Sequence, residues 1–165
     1  ITMSRRSLLS DQVTPVRIYV GGISQEAYQE KIVAKVRQAI SHIPVTTERP
    51  VIISQESMEE DNQNTKEAIL SLFVYKPRQT GFAAVAAMTQ AAITNPDATV
   101  IAVVPGEDES YNDRTEREDV HAILSGTNAP IFDTENEAIS YVAQCADEGI
   151  TDPNSGLSLD SPTAY

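Results

Sequence analysis

Five short runs rich in β-branched and aromatic residues punctuate the chain: "VRIYV" (16–20), "PVIIS" (50–54), "ILSLFVY" (69–75), "TVIAVV" (99–104) and "APIF" (129–132). Each is followed by a turn and a longer stretch, and most of these carry apolar residues at helical spacing. Strands separated by helices cannot close as hairpins. They pair in parallel, because each crossover helix must come back over a face of the sheet. "ILSLFVY" is apolar almost throughout, as a strand covered on both faces must be.

The expected fold is therefore a single doubly wound α/β domain, Rossmann- or flavodoxin-like, with a five-stranded parallel sheet in the order 2-1-3-4-5. After the first strand, "GGIS" reads as a turn with Ser24 placed to cap a helix that buries Tyr28, Ile32, Val33, Val36, Ala39 and Ile40 and stops before Pro44. The polar stretch from Glu56 to Lys66 reads as a loop with a short helix. Beyond Gly81 a second helix presents Ala84, Val85, Met88 and Ala92 as one stripe. Thr115 with Glu118, and Thr134 with Glu137, have the spacing of capping boxes opening the last two helices. The domain is expected over residues 16–145. An N-terminal arm (1–15) and a C-terminal tail (146–165) flank it, because both lack a sustained period and are rich in turn-forming or small polar residues.

With 165 residues the chain suits one domain with one core. Its longest apolar runs are far too short to span a bilayer and no charged-then-apolar leader precedes Val16, so a cytoplasmic setting, or a particle assembled inside a cell, is expected. One cysteine forms no internal disulfide, and one cysteine with two distant histidines makes no zinc site, so no metal is expected. Charge is unevenly spread. Residues 1–78 carry 10 basic and 9 acidic groups, net +1, whereas residues 79–165 carry 2 and 15, net −13. A half so acidic repels phosphate backbones, which argues against nucleic acid as a partner. It either solubilises the surface or orients neighbouring subunits.

In an open parallel sheet, ligands bind beyond the carboxyl ends of the strands where strand order reverses. For the order 2-1-3-4-5 that crevice lies between the turn after the first strand (Gly21, Gly22) and the turn after the third (Lys76 to Gly81). The loop Gly106 to Arg114 forms a third wall. The candidate ligand-binding residues are Gly21, Gly22, Arg78, Gln79, Thr80, Gly81 and Asn112. The glycine pair serves either a tight turn or close approach of a ligand to backbone amides. Neither a full dinucleotide fingerprint nor a phosphate loop is present, and no cofactor is expected. His42, His121 and Cys145 read as structural or surface residues. Glu107, Asp108 and Glu109 form an acidic loop within reach of the cleft.

Three stretches carry a likeness. "RIYVGGISQEAYQEKI" has a small-residue turn followed by Tyr28 and Gln29, "LFVYKPRQTGFAAVAAM" leads a strand through a proline-containing turn into a helix, and "APIFDTENEAISYV" closes the domain with a strand and a capped helix. Over residues 16–144 the chain resembles the nucleoside 2-deoxyribosyltransferase-like family. The resemblance implies the fold expected above and a crevice for a nucleoside-like small molecule. In active members a helix glutamate attacks the anomeric carbon of a nucleoside and holds the glycosyl group covalently. The corresponding position here is Ala86, flanked by Ala83, Ala84, Val85 and Ala87. The region after the second strand has Glu59, Glu60 and Asp61 but no arginine, and Asn112 corresponds to a polar residue that some members bring in late in the chain. The resemblance with its missing acid implies no catalytic residue. It implies a degenerate member acting as a binding or assembly subunit of a homo-oligomer, a filament or a virus particle, and the two arms with the lopsided charge point to self-association, or association with another protein, through those arms. Two rival expectations stand beside it: an active N-glycosidase or deoxyribosyltransferase using an acid of the 107–109 loop, and a nucleoside or nucleotide sensor.

Overall fold

The computed structural model describes residues 16–41, 51–55 and 70–151. The arm at 1–15, most of the tail, the Glu56–Lys66 stretch, Glu59, Glu60, Asp61, Pro44 and His42 lie outside the described residues. The elements are β1 (Val16–Gly21), α1 (Glu26–Ile40), β2 (Val51–Gln55), β3 (Leu70–Tyr75), α2 (Phe82–Thr94), a short 3₁₀ turn (Pro96–Ala98), β4 (Thr99–Val103), α3 (Tyr111–Ser125), β5 (Ile131–Phe132) and α4 (Glu135–Thr151). The strands form one parallel sheet in the order β2-β1-β3-β4-β5.

Parity along the strands sorts the core into two layers, since successive side chains point to opposite faces. Ile18, Val20, Leu70, Leu72, Val74, Val100 and Ala102 pack with Ile32, Val33, Val36 and Ile40 of α1 and with Ala138, Ile139, Val142 and Ala146 of α4. Tyr19, Phe73, Tyr75, Ile101 and Val103 pack on the other side with Met88, Ala91 and Ala92 of α2 and Val120 and Leu124 of α3. The sheet is thus covered on both faces, which is why all six residues of β3 and all five of β4 are buried. Lys35 Nζ lies 3.2 Å from Glu135 Oε1 and joins α1 to α4.

Several local expectations are corrected. Ser24 does not cap α1: the capping position is Gln25, without a side-chain hydrogen bond. Tyr28 and Ala39 are only partly buried, while Gln29 is buried and donates from Nε2 to the Val20 carbonyl at 3.3 Å. The Thr115–Glu118 box does not form either. Helix α3 begins at Tyr111, capped by Ser110, whose hydroxyl accepts the Asp113 amide at 3.1 Å. Thr115 sits inside the helix and donates to the Tyr111 carbonyl, and Glu118 pairs with Arg114. The Thr134 hydroxyl, by contrast, accepts the Glu137 amide at 3.2 Å. Helix α4 runs on to Thr151 with Ala146 fully buried, so a boundary at 145/146 falls inside it. The turn-forming residues that suggested an earlier end follow Ala146.

Candidate functional site

Beyond the carboxyl ends of β1, β3 and β4 lies an open cleft of about 530 Å³, within the range of small-molecule sites. Three segments line it: Ser24 to Lys31 around the start of α1, Lys76 to Gln79 after β3, and Gly106, Glu107 and Asp113 after β4. The first two are tied together by backbone. The amide and hydroxyl of Ser24 both donate to the Gln79 carbonyl, at 3.1 and 2.9 Å. β3 and β4 are tied by the Val104 amide donating to the Tyr75 carbonyl at 2.9 Å.

The turn after β3 is strained at one residue. The Gln79 and Thr80 amides both donate to the Lys76 carbonyl, and Pro77 and Arg78 occupy the corner. Arg78 has φ 70°, a left-handed conformation that glycine or asparagine adopts far more readily. Its Nε lies 2.9 Å from Asp113 Oδ2, so the pair bridges the β3 turn to α3. Lys76 Nζ stands 4.4 Å from the centroid of the Tyr28 ring, a cation–π contact on the cleft wall.

The sequence-derived candidates separate here. Arg78 and Gln79 line the cleft; Gly21, Gly22, Thr80, Gly81 and Asn112 do not. Gly22 has φ 99°, and a Cβ there would collide with the Val74 carbonyl oxygen. At Gly21 a Cβ would come within 2.6 Å of the Tyr19 ring. Packing therefore accounts for both. The Thr80 hydroxyl is engaged within its own turn, accepting the Lys76 amide at 3.0 Å and facing the Val74 carbonyl at 3.3 Å. Gly81 is the extended capping residue of α2. Asn112 is exposed, and Asp113 beside it lines the cleft. Lys76 falls in the turn that the sequence marks as one wall, whereas Tyr28 and Lys31 are lining residues outside the expected crevice. Tyr28 was counted as core, and only the placement of α1 against the β3 turn brings the two lysines together.

The acids divide as sharply. Glu109 is held by Arg117, Nε to Oε2 and Nη2 to Oε1 both at 2.8 Å, and Oε2 also accepts the Gly106 amide at 3.1 Å. The Arg117 hydrogen bonds lower its pKa, and this outweighs what burial would do in the other direction. Of the 107–109 loop, only Glu107 lines the cleft. Ala86 is exposed on α2 and is not among the residues that line the cleft. No carboxylate occurs anywhere in α2. His121 approaches Asp133 (3.5 Å) and Ser125 (3.2 Å), and Cys145 is half-buried with its pKa raised by burial. No cluster of histidine, cysteine and acidic residues fit to hold a metal occurs among the described residues. None of their helices is long and apolar enough to cross a membrane.

No protein-family model matches the chain, and no curated protein does. Among solved structures it is similar to a short-chain flavodoxin associated with a non-canonical PDU bacterial microcompartment. The identity is 11% and the TM-score 0.46, over 79% of this chain and 94% of that one.

Proposed function

We propose that the chain is a catalytically degenerate protein of the nucleoside 2-deoxyribosyltransferase type, working as a binding or assembly subunit rather than as an enzyme. One observation carries this reading: the helix that should present a nucleophilic carboxylate, α2, has none, and Glu109 of the neighbouring acidic loop is held between Arg117 and the Gly106 amide. A carboxylate in a bidentate pair is already committed and makes a poor nucleophile. The cleft, with its aromatic wall and hydrogen-bonding rim, is still large enough for a nucleoside-like ligand. Support for the assembly role comes from the outer face of α2, which is uncharged and leaves Phe82 90% and Ile93 64% exposed.

Glu107 favours a second reading, an active N-glycosyl transferase or hydrolase, because it is the acid of its loop that lines the cleft. Incubating the protein with a deoxynucleoside and a second free base separates the two. The expected result is no base exchange and no hydrolysis, with the nucleoside recovered intact. Turnover that disappears in Glu107→Gln would establish the enzymatic reading instead.

A further inference from the structure

We infer that the ligand of this cleft carries an anionic group, phosphate or carboxylate, received by Arg78 together with Lys31 and Lys76. The inference rests on the binding role proposed above.

The first ground is the backbone of Arg78. It sits where a glycine would relieve the turn, at φ 70°, so arginine there costs stability. Its side chain does not repay that cost within the fold. It is 74% exposed and, among the described residues, pairs with Asp113 alone through one contact, and a pair with one partner so exposed contributes little. Strain without a structural return points to a side chain kept for what it can reach.

The second ground is charge. Three cations, Lys31, Lys76 and Arg78, line the cleft against two carboxylates, Glu107 and Asp113, which leaves it net +1 in a chain of net −12. Cations gathered in a concavity of an otherwise acidic protein attract an anion locally. Asp113 is the exchangeable partner: it takes a single contact, Oδ2 to Nε, whereas an incoming phosphate or carboxylate can offer Arg78 two acceptors.

The third ground is the remainder of the wall. Gln79 Oε1 and Tyr28 Oη are buried and make no hydrogen bond among the described residues. Both residues line the cleft, and a change of rotamer would turn this acceptor and this hydroxyl toward the uncharged part of the same molecule.

Isothermal titration tests this with three probes: deoxyadenosine 5′-monophosphate, deoxyadenosine and inorganic phosphate. The monophosphate should bind about tenfold or more tightly than the nucleoside, and added salt should reduce that advantage. Arg78→Gly should bring the two within about twofold while raising Tm, and Lys76→Gln should weaken the monophosphate without raising Tm. Phosphate binding as well as the monophosphate would support the anion site. Equal binding of nucleoside and monophosphate to the unaltered protein overturns this inference and leaves the binding role standing. If no probe binds, both fall. An Arg78→Gly protein that melts lower and keeps its affinity also overturns the inference, because the arginine is then structural.

Discussion

Tyr75 ends β3 fully buried, and its hydroxyl has no hydrogen-bond partner among the described residues. Burial above all, and after it the negative charges of Glu116 and Asp113, push its pKa up to about 12. An unfolded chain would release that proton near pH ~10. Between these values the unfolded state sheds a proton that the folded state keeps, so stability falls as pH rises through the window. Tyr75→Phe removes both the orphaned hydroxyl and this alkaline loss. In urea titrations it should be more stable at pH 7 by about 1 kcal/mol, with the gap wider near pH ~11. A phenylalanine that costs stability at pH 7 would show that the hydroxyl is satisfied in solution. At the acid end Glu109 behaves oppositely. Its depressed pKa contributes stability that is complete above the ordinary carboxylate range and is lost as pH falls through the lowered value. Glu109→Gln should lower Tm at neutral pH and flatten the decline in Tm as pH falls through and below the ordinary carboxylate range. A variant with the same acid slope as the unaltered protein would mean that other carboxylates govern that limb. Glu135 works against this trend. Burial raises its pKa in spite of Lys35 at 3.2 Å, so acidification through its range relieves a cost.

At the scale of elements, the caps separate what periodicity can show from what only placement decides. Ser110→Ala should destabilise by about 1 kcal/mol by orphaning a first-turn amide of α3, and Thr134→Ala should cost a similar amount at α4. Thr115→Ala, inside α3, should change stability by less than about 0.5 kcal/mol in the same chemical denaturation. A large loss at Thr115 and none at Ser110 would restore the later helix start. The Ser110 cap was hard to read because "YNDRTERE", the opening of α3, is nearly all polar and looks like loop until the helix is docked. The strands were legible because β3 and β4 have to be apolar on both faces, and the stripe of Ala84, Met88 and Ala92 was legible because α2 buries one face. Of the site, its general position follows from parallel topology, and Arg78 and Gln79 from their place in the turn. Lys31 and Tyr28 belong to a helix whose sequence says which residues face the core but not which reach past the end of the sheet. Nor does any local pattern announce that Glu109 meets Arg117 eight residues on.

Across the whole molecule the acidic excess sets how two copies can meet. Residues 79–165 carry 2 basic and 15 acidic groups, and within that stretch α2 has no charge at all. Like-charged surfaces repel at distances up to the screening length, so copies of this chain approach at least cost where the charge is missing. That surface is also apolar: Phe82 and Ile93 stand exposed on α2, with the side chains between them mostly small. Alanines let two helices approach closely, and an antiparallel pairing about a two-fold axis would set each Phe82 near the partner's Ile93. Sedimentation equilibrium should therefore show association that strengthens from about 0.05 M to about 0.5 M salt, as screening removes the repulsion while leaving apolar burial. Phe82→Ser combined with Ile93→Ser should yield a monomer at every salt concentration with an unchanged circular dichroism spectrum, since neither side chain is in the core. If the doubly substituted chain associates as the unaltered one does, α2 is not the contact and the exposed phenylalanine needs another explanation. If association weakens as salt rises, charge pairs rather than this neutral face hold the copies together.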